Sequence, residues 1–206
     1  MRRGLDIATV VARMGSSLFA FGFLGLFGGP IGLIIGLATG ALLGGVHSWA
    51  LLTAQSYPAG PKGWFLMIID FTWSLPNTMM GSVFLAVNLL RGNTLDKEQS
   101  RSRSSIVLSE GVFHGFATTL GPVEAGTSNS ISKHEYVHVL QARIFGPFYV
   151  PLVMLNYVVA TILPYWLIYH DHKNKPIRSF SDYFMRGVYP HTWHEEWAYA
   201  VEGEAP

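Results

Sequence analysis

The chain has 206 residues, half of them apolar and only 13% charged, with a formal net charge of +1. A soluble domain carries about 25% charged residues, so the composition points to a membrane-bound chain, and so small a net charge gives no case for nucleic acid. With no cysteine in the sequence, disulfides, thiolate metal sites and cysteine catalysis are excluded.

Arg2 and Arg3 are followed by Asp6 and Arg13 before the long apolar run begins. A cleaved signal peptide needs a short uninterrupted apolar core, so an uncleaved membrane anchor is expected. No charged residue occurs from Ser16 to Ala54, far more than the ~20 residues of one crossing. Gly28-Gly29-Pro30 breaks this run and predicts a helical hairpin, Leu5–Phe27 followed by Ile31–Ala54. Gly28, Gly32, Gly36, Gly40 and Gly44 recur every fourth residue, with Ser48 continuing the row. That spacing makes one ridge of small residues, where another helix backbone can come close. The ridge suits either packing on the first helix or assembly with a second copy or a larger membrane complex.

A second apolar block, Trp64 to Leu90, contains Asp70 and is interrupted at Pro76, where a helix hydrogen bond is lost. Asp70 is expected to cap or pack near the break, or to support a metal-ligating histidine. Arg2, Arg3, Lys62, Arg91, Lys97, Arg101 and Arg103 cluster in the loops, which places the N-terminus and these loops on the cytoplasmic side by the positive-inside rule. The block should therefore enter the bilayer and return at Pro76. Ile106-Val107-Leu108 and Val112 to Thr118 flank Ser109-Glu110-Gly111 and predict a short β-hairpin, with Gly121 to Ser132 as loop.

His134-Glu135-Tyr136-Val137-His138 reads H-E-x-x-H. On a helix, histidines four apart share one face and can grip one ion, here zinc, with Glu135 poised to take a proton from water. Ser132-x-x-Glu135 also fits a capping box, a competing use of Glu135 unless the helix starts earlier, at Ser128 or Ser130. Gly146-Pro147 ends this helix. Phe148 to Tyr169 is long enough to cross, but Pro151 and Pro164 and the polar tail after it predict a bend, an interfacial path, or a metal site at membrane depth inside the bundle. The closing segment is rich in Trp and Tyr, which favour the membrane–water interface, and a short amphipathic helix is expected around Trp193 to Val201. Glu195, Glu196, His194 and His191 are candidates for a third metal ligand; Tyr189 or His191 could stabilise an oxyanion.

The pairing of His134-Glu135-x-x-His138 with Glu195-x-x-Ala198 resembles the gluzincin metalloproteases, and within them the membrane-embedded branch of the CAAX prenyl protease and the heat-shock membrane protease. The resemblance implies His134, His138 and Glu195 as zinc ligands and Glu135 as general base. Tyr199 stands where that branch has Asp. The expected architecture is mostly α: a polytopic membrane protein with a glycine-zipper hairpin (residues 1–56) and a membrane-associated metallopeptidase-like region (residues 57–206) holding the β-hairpin and the metal helix. Its expected partners are the lipid bilayer and a peptide or membrane-protein substrate. The rival readings are a non-catalytic accessory subunit of a membrane complex and a metal-dependent hydrolase of lipid.

Overall fold

The computed structural model describes residues 2–111, 117–126 and 132–203. Two compact units divide the chain, Met1–Pro147 and Phe148–Pro206.

The first unit opens with α1 (Arg2–Gly25) and α2 (Gly29–Ala54), joined by a 3-10 turn over Leu26–Gly28. Both helices end within a few residues of the expected limits. Gly29 takes φ +68, a left-handed conformation open to glycine, and Pro30 follows in the first turn of α2. The glycine ridge faces α1 of the same chain. A methyl group on Gly32 would stand 2.4 Å from the Gly25 carbonyl oxygen, and one on Gly36 would stand 2.2 Å from that of Phe21. Gly28 lies in the turn, outside this contact. Only bare Cα atoms allow so close an approach. The outer faces of both helices expose Phe19, Phe23, Ile31, Ile34 and Leu42.

The Trp64–Leu90 block breaks where expected, into α3 (Pro61–Phe71) and α4 (Leu75–Leu90), with Pro76 in the first turn of α4. Proline at that position costs no hydrogen bond, so Pro76 starts a helix rather than kinking one. α5 (Lys97–Arg103) is capped by Asp96, whose carboxylate accepts from the Gln99 backbone N–H at 2.9 Å.

The sheet differs from the expected hairpin. β1 (Ile106–Leu108) pairs in parallel with β3 (Val123–Ala125), and β2 (Thr118–Leu120) pairs antiparallel with β3. Of the strand expected at Val112–Thr118, residues 112–116 fall outside the described residues and Thr118 begins β2. The hairpin is thus β2–β3, whose second strand lies in a stretch that reads as loop from sequence, and Gly121 (φ +56) makes its turn. Among the described residues the order β1-β3-β2 leaves β2 at an edge. Leu5, Leu51, Phe71, Leu85, Ile106 and Val123 belong to one buried apolar cluster, so hairpin, α3–α4 and sheet share a core. α6 (Ser132–Phe145) packs on β2 and β3.

In the second unit α7 (Tyr149–Ile162) ends before Pro164, and a 3-10 turn covers Tyr165–Ile168. The short α8 (Phe180–Asp182) runs into a π-helical turn at Tyr183–Val188, and α9 (Trp193–Glu202) closes the chain. Ala160, Trp166 and Val188 are the buried apolar centre. Gly187 gives the Trp166 ring its place: a methyl group there would meet the indole at 2.2 Å.

Two helical runs, Arg2–Ala54 and Lys133–Ile162, are long and apolar enough to cross a membrane by length and composition. The first is the folded hairpin, whose two helices measure roughly 36 and 39 Å at 1.5 Å per residue, beyond the ~30 Å of a bilayer core. The second is interrupted at Gly146, where φ is +54.

Candidate metal centre

α6 carries His134, Glu135 and His138, and all three are buried. One turn apart, the two imidazoles lie edge to face with ring centroids 5.0 Å apart. The His138 Nδ1–H donates to Gln141 Oε1 at 3.0 Å. That bond fixes the tautomer and leaves Nε2 with its lone pair, the form of histidine that ligates a metal. Gln141 is fully buried and sits three residues on, on the same face of the helix.

Glu135 is held from the sheet. Thr119 of β2 donates its hydroxyl to Glu135 Oε2 at 2.6 Å; the alternative helix starts at Ser128 and Ser130 lie outside the described residues. Directly across from Thr119, on β3, is Glu124. It is buried, with Arg103 donating to Oε2 at 2.6 Å and Ser105 donating to Oε1. Burial pushes the Glu124 carboxyl above its usual range, the bonds from Ser105 and Arg103 oppose that, and the nearby Glu135 charge adds to it.

The C-terminal half of α6 is anchored by polar side chains from the α3–α4 segment. Asp70 takes a bidentate pair from Arg143, Nε to Oδ1 and Nη2 to Oδ2, both 2.8 Å, and a 2.8 Å bond from the Tyr57 hydroxyl. Asp70 is therefore a buried anchor of the metal helix rather than a partner of a ligand histidine. Losing one member of such a buried pair costs about 3–5 kcal/mol. The last carbonyls of the helix, which have no partner within it, are also capped. Trp73 Nε1 donates to Ile144 O, Ser74 Oγ to Ala142 O, and Asn77 Nδ2 to Ala142 O and Gly146 O.

His134, His138 and Glu195 form a buried group, each offering one ligand atom, and these atoms lie within 4.8 Å of one another. Two imidazoles and one carboxylate are a donor set that suits a divalent transition metal. The other candidate ligands are engaged elsewhere. Glu196 Oε1 accepts from the Tyr169 hydroxyl at 2.8 Å. His191 Nδ1 donates to Gly187 O at 2.6 Å, and its ring stacks on Trp166. His194 packs its ring against Tyr157 and Trp193, with Nε2 3.5 Å from Glu195 Oε1. The Tyr189 ring stacks on Tyr157.

Thr119, Gln141 and Arg143 were not singled out from the sequence. Gln141 had a signal, its i+3 spacing from His138; Thr119 and Arg143 reach the site only through tertiary contacts. Comparison of the chain with models of known families, with curated proteins and with solved structures finds no match.

Proposed function

We propose that this protein is an integral-membrane zinc metallopeptidase of the gluzincin kind, with His134, His138 and Glu195 as ligands and Glu135 as general base. The observation that carries the reading is the buried His-His-Glu group with Glu135 beside its first histidine. Zinc in that group supplies Lewis acidity, lowering the pKa of water and polarising a carbonyl. Glu135 accepts the proton from the attacking water and passes it to the leaving amine. Thr119 holds one carboxylate oxygen in place, and Gln141 holds His138 in its ligating tautomer. The edge strand β2 is the natural seat for an extended peptide, which pairs with its backbone next to the residue that orients Glu135. The exposed apolar faces of α1 and α2 suit lipid, and the basic loops support a cytoplasmic N-terminus by the positive-inside rule.

Elemental mass spectrometry on the detergent-purified chain tests the metal, and a peptidase assay against Glu135→Gln tests the chemistry. About one zinc per chain is expected, lost in His138→Ala. Glu135→Gln should keep the zinc and lower turnover about 10²–10⁴-fold, the usual range for a general base. A wild type that stays free of zinc after re-addition overturns the reading in favour of an accessory membrane subunit. Zinc bound with turnover untouched by Glu135→Gln removes Glu135 as the base.

A further inference from the structure

Away from the metal helix, the hairpin encloses a guanidinium with no carboxylate. Arg13 on α1 is fully buried, and none of its nitrogens comes within ion-pair distance of an acidic side chain among the described residues. Its Nη2 donates to Ser82 Oγ of α4 at 2.5 Å, and its guanidinium carbon lies 5.9 Å from the Phe71 ring centroid. Neither contact supplies a negative charge. A buried cation without one costs several kcal/mol.

Around it are further polar groups without a partner. Arg13 Nε, Ser17 Oγ and Ser48 Oγ are all buried without a hydrogen-bond partner. Serines inside helices ordinarily give their proton to a carbonyl one turn back, as Ser82 does to Thr78 O at 2.6 Å; Ser17 and Ser48 do not. Their positions are linked. Ser17 is one turn on from Arg13, and a methyl group on Gly44 would sit 3.2 Å from Ser17 Oγ. Ser48 is one turn on from Gly44. His47, next to Ser48, closes the ring: its Nδ1–H donates to Ser82 Oγ at 2.7 Å, because the Ser82 proton is already committed to Thr78. His47 Nε2 is likewise without a partner and, in this tautomer, accepts only.

We infer that this polar nest, Arg13 with Ser17, Ser48 and His47, binds a small monovalent inorganic anion of the chloride class. A water molecule could bond here, since the serine oxygens and His47 Nε2 accept its protons, but it would leave the guanidinium charge uncompensated. The permanent cation of Arg13, buried with no carboxylate beside it, calls for a group that carries negative charge. A single anion accepts from Arg13 Nε, Ser17 Oγ and Ser48 Oγ at once and neutralises the guanidinium. His47 Nε2 accepts a hydrogen bond from a water in the anion's shell. The nest shares no residue with the metal group, so it stands whether or not the protein is a peptidase.

The test uses the full chain in detergent, melted in sodium chloride and in sodium gluconate at equal ionic strength, gluconate being too bulky to enter. Chloride should raise the Tm saturably in wild type. Removing two donors in the Ser17→Ala/Ser48→Ala double variant should weaken the chloride midpoint at least about tenfold, the equivalent of one net hydrogen bond or more. Arg13→Gln should abolish the chloride dependence. Crystals grown in bromide should show an anomalous peak within hydrogen-bonding distance of Arg13 Nε. If Arg13→Gln does not fold, the serine variant and the bromide peak decide. Equal melting in the two salts, a chloride response unchanged in the serine variant, or bromide only at the surface would overturn the inference.

Discussion

Gln141 takes the Nδ1 proton of His138 from one turn along the same helix, and that single bond decides which imidazole nitrogen is left to ligate. Partners of this kind are worth about 10–100-fold in metal affinity. Gln141→Ala should weaken zinc binding by that factor in a competition titration with a chelating dye; unchanged affinity would mean His138 keeps its tautomer without help. His191 is a second residue whose surroundings set its protonation. Burial, more than the neighbouring His170, holds its imidazole below the usual value near 6.5, while the bond to Gly187 works the other way. The unfolded chain then binds a proton at pH values where the folded one does not. Stability is fully present above about pH 6.5 and is lost as the pH falls through the depressed folded value. Thermal melts followed by circular dichroism from pH 7.5 to 5 should show the decline, and His191→Phe should flatten it; an equal slope in both proteins would assign the effect to another group.

At the scale of elements, the hairpin offers a paired test. A methyl group on Gly36 would strike the Phe21 carbonyl, whereas one on Gly45 meets nothing within 4 Å. Gly36→Ala should cost roughly 1–3 kcal/mol, the usual range for overpacking. Gly45→Ala should be neutral or gain up to about 1 kcal/mol from helix propensity. Melting both in detergent checks the pair, and equal Tm changes would show that the ridge does not face α1. The hairpin was legible in sequence because the break at Gly28-Gly29-Pro30 and the four-residue glycine spacing are local signals. The amphipathic helix around Glu195 was legible for the same reason, and so was the H-E-x-x-H helix. The sheet was not. β1 finds its partner in β3, past a stretch that reads as strand, and the β2–β3 turn rests on the backbone freedom of Gly121. Nor could the Asp70–Arg143 pair be read, because 73 residues separate its members and no periodicity connects them.

For the whole molecule, the decisive property is where it resides. Half of its residues are apolar, and two runs are long and apolar enough for a bilayer. The chain should stay in the membrane pellet through an alkaline carbonate wash and leave it only in detergent. Release by carbonate would make it a peripheral protein and would require another cover for the outer faces of α1 and α2. The capping of α6 has a consequence for anyone who would transplant the site. The partners of its final carbonyls, Trp73, Ser74 and Asn77, lie about 70 residues upstream, and so does the carboxylate that neutralises Arg143. A segment cut out as Ser132–Phe145 carries two histidines and a glutamate but loses what finishes its last turn. The motif is portable as text and not as a cassette: on a new scaffold it would arrive as a frayed helix with a stranded arginine.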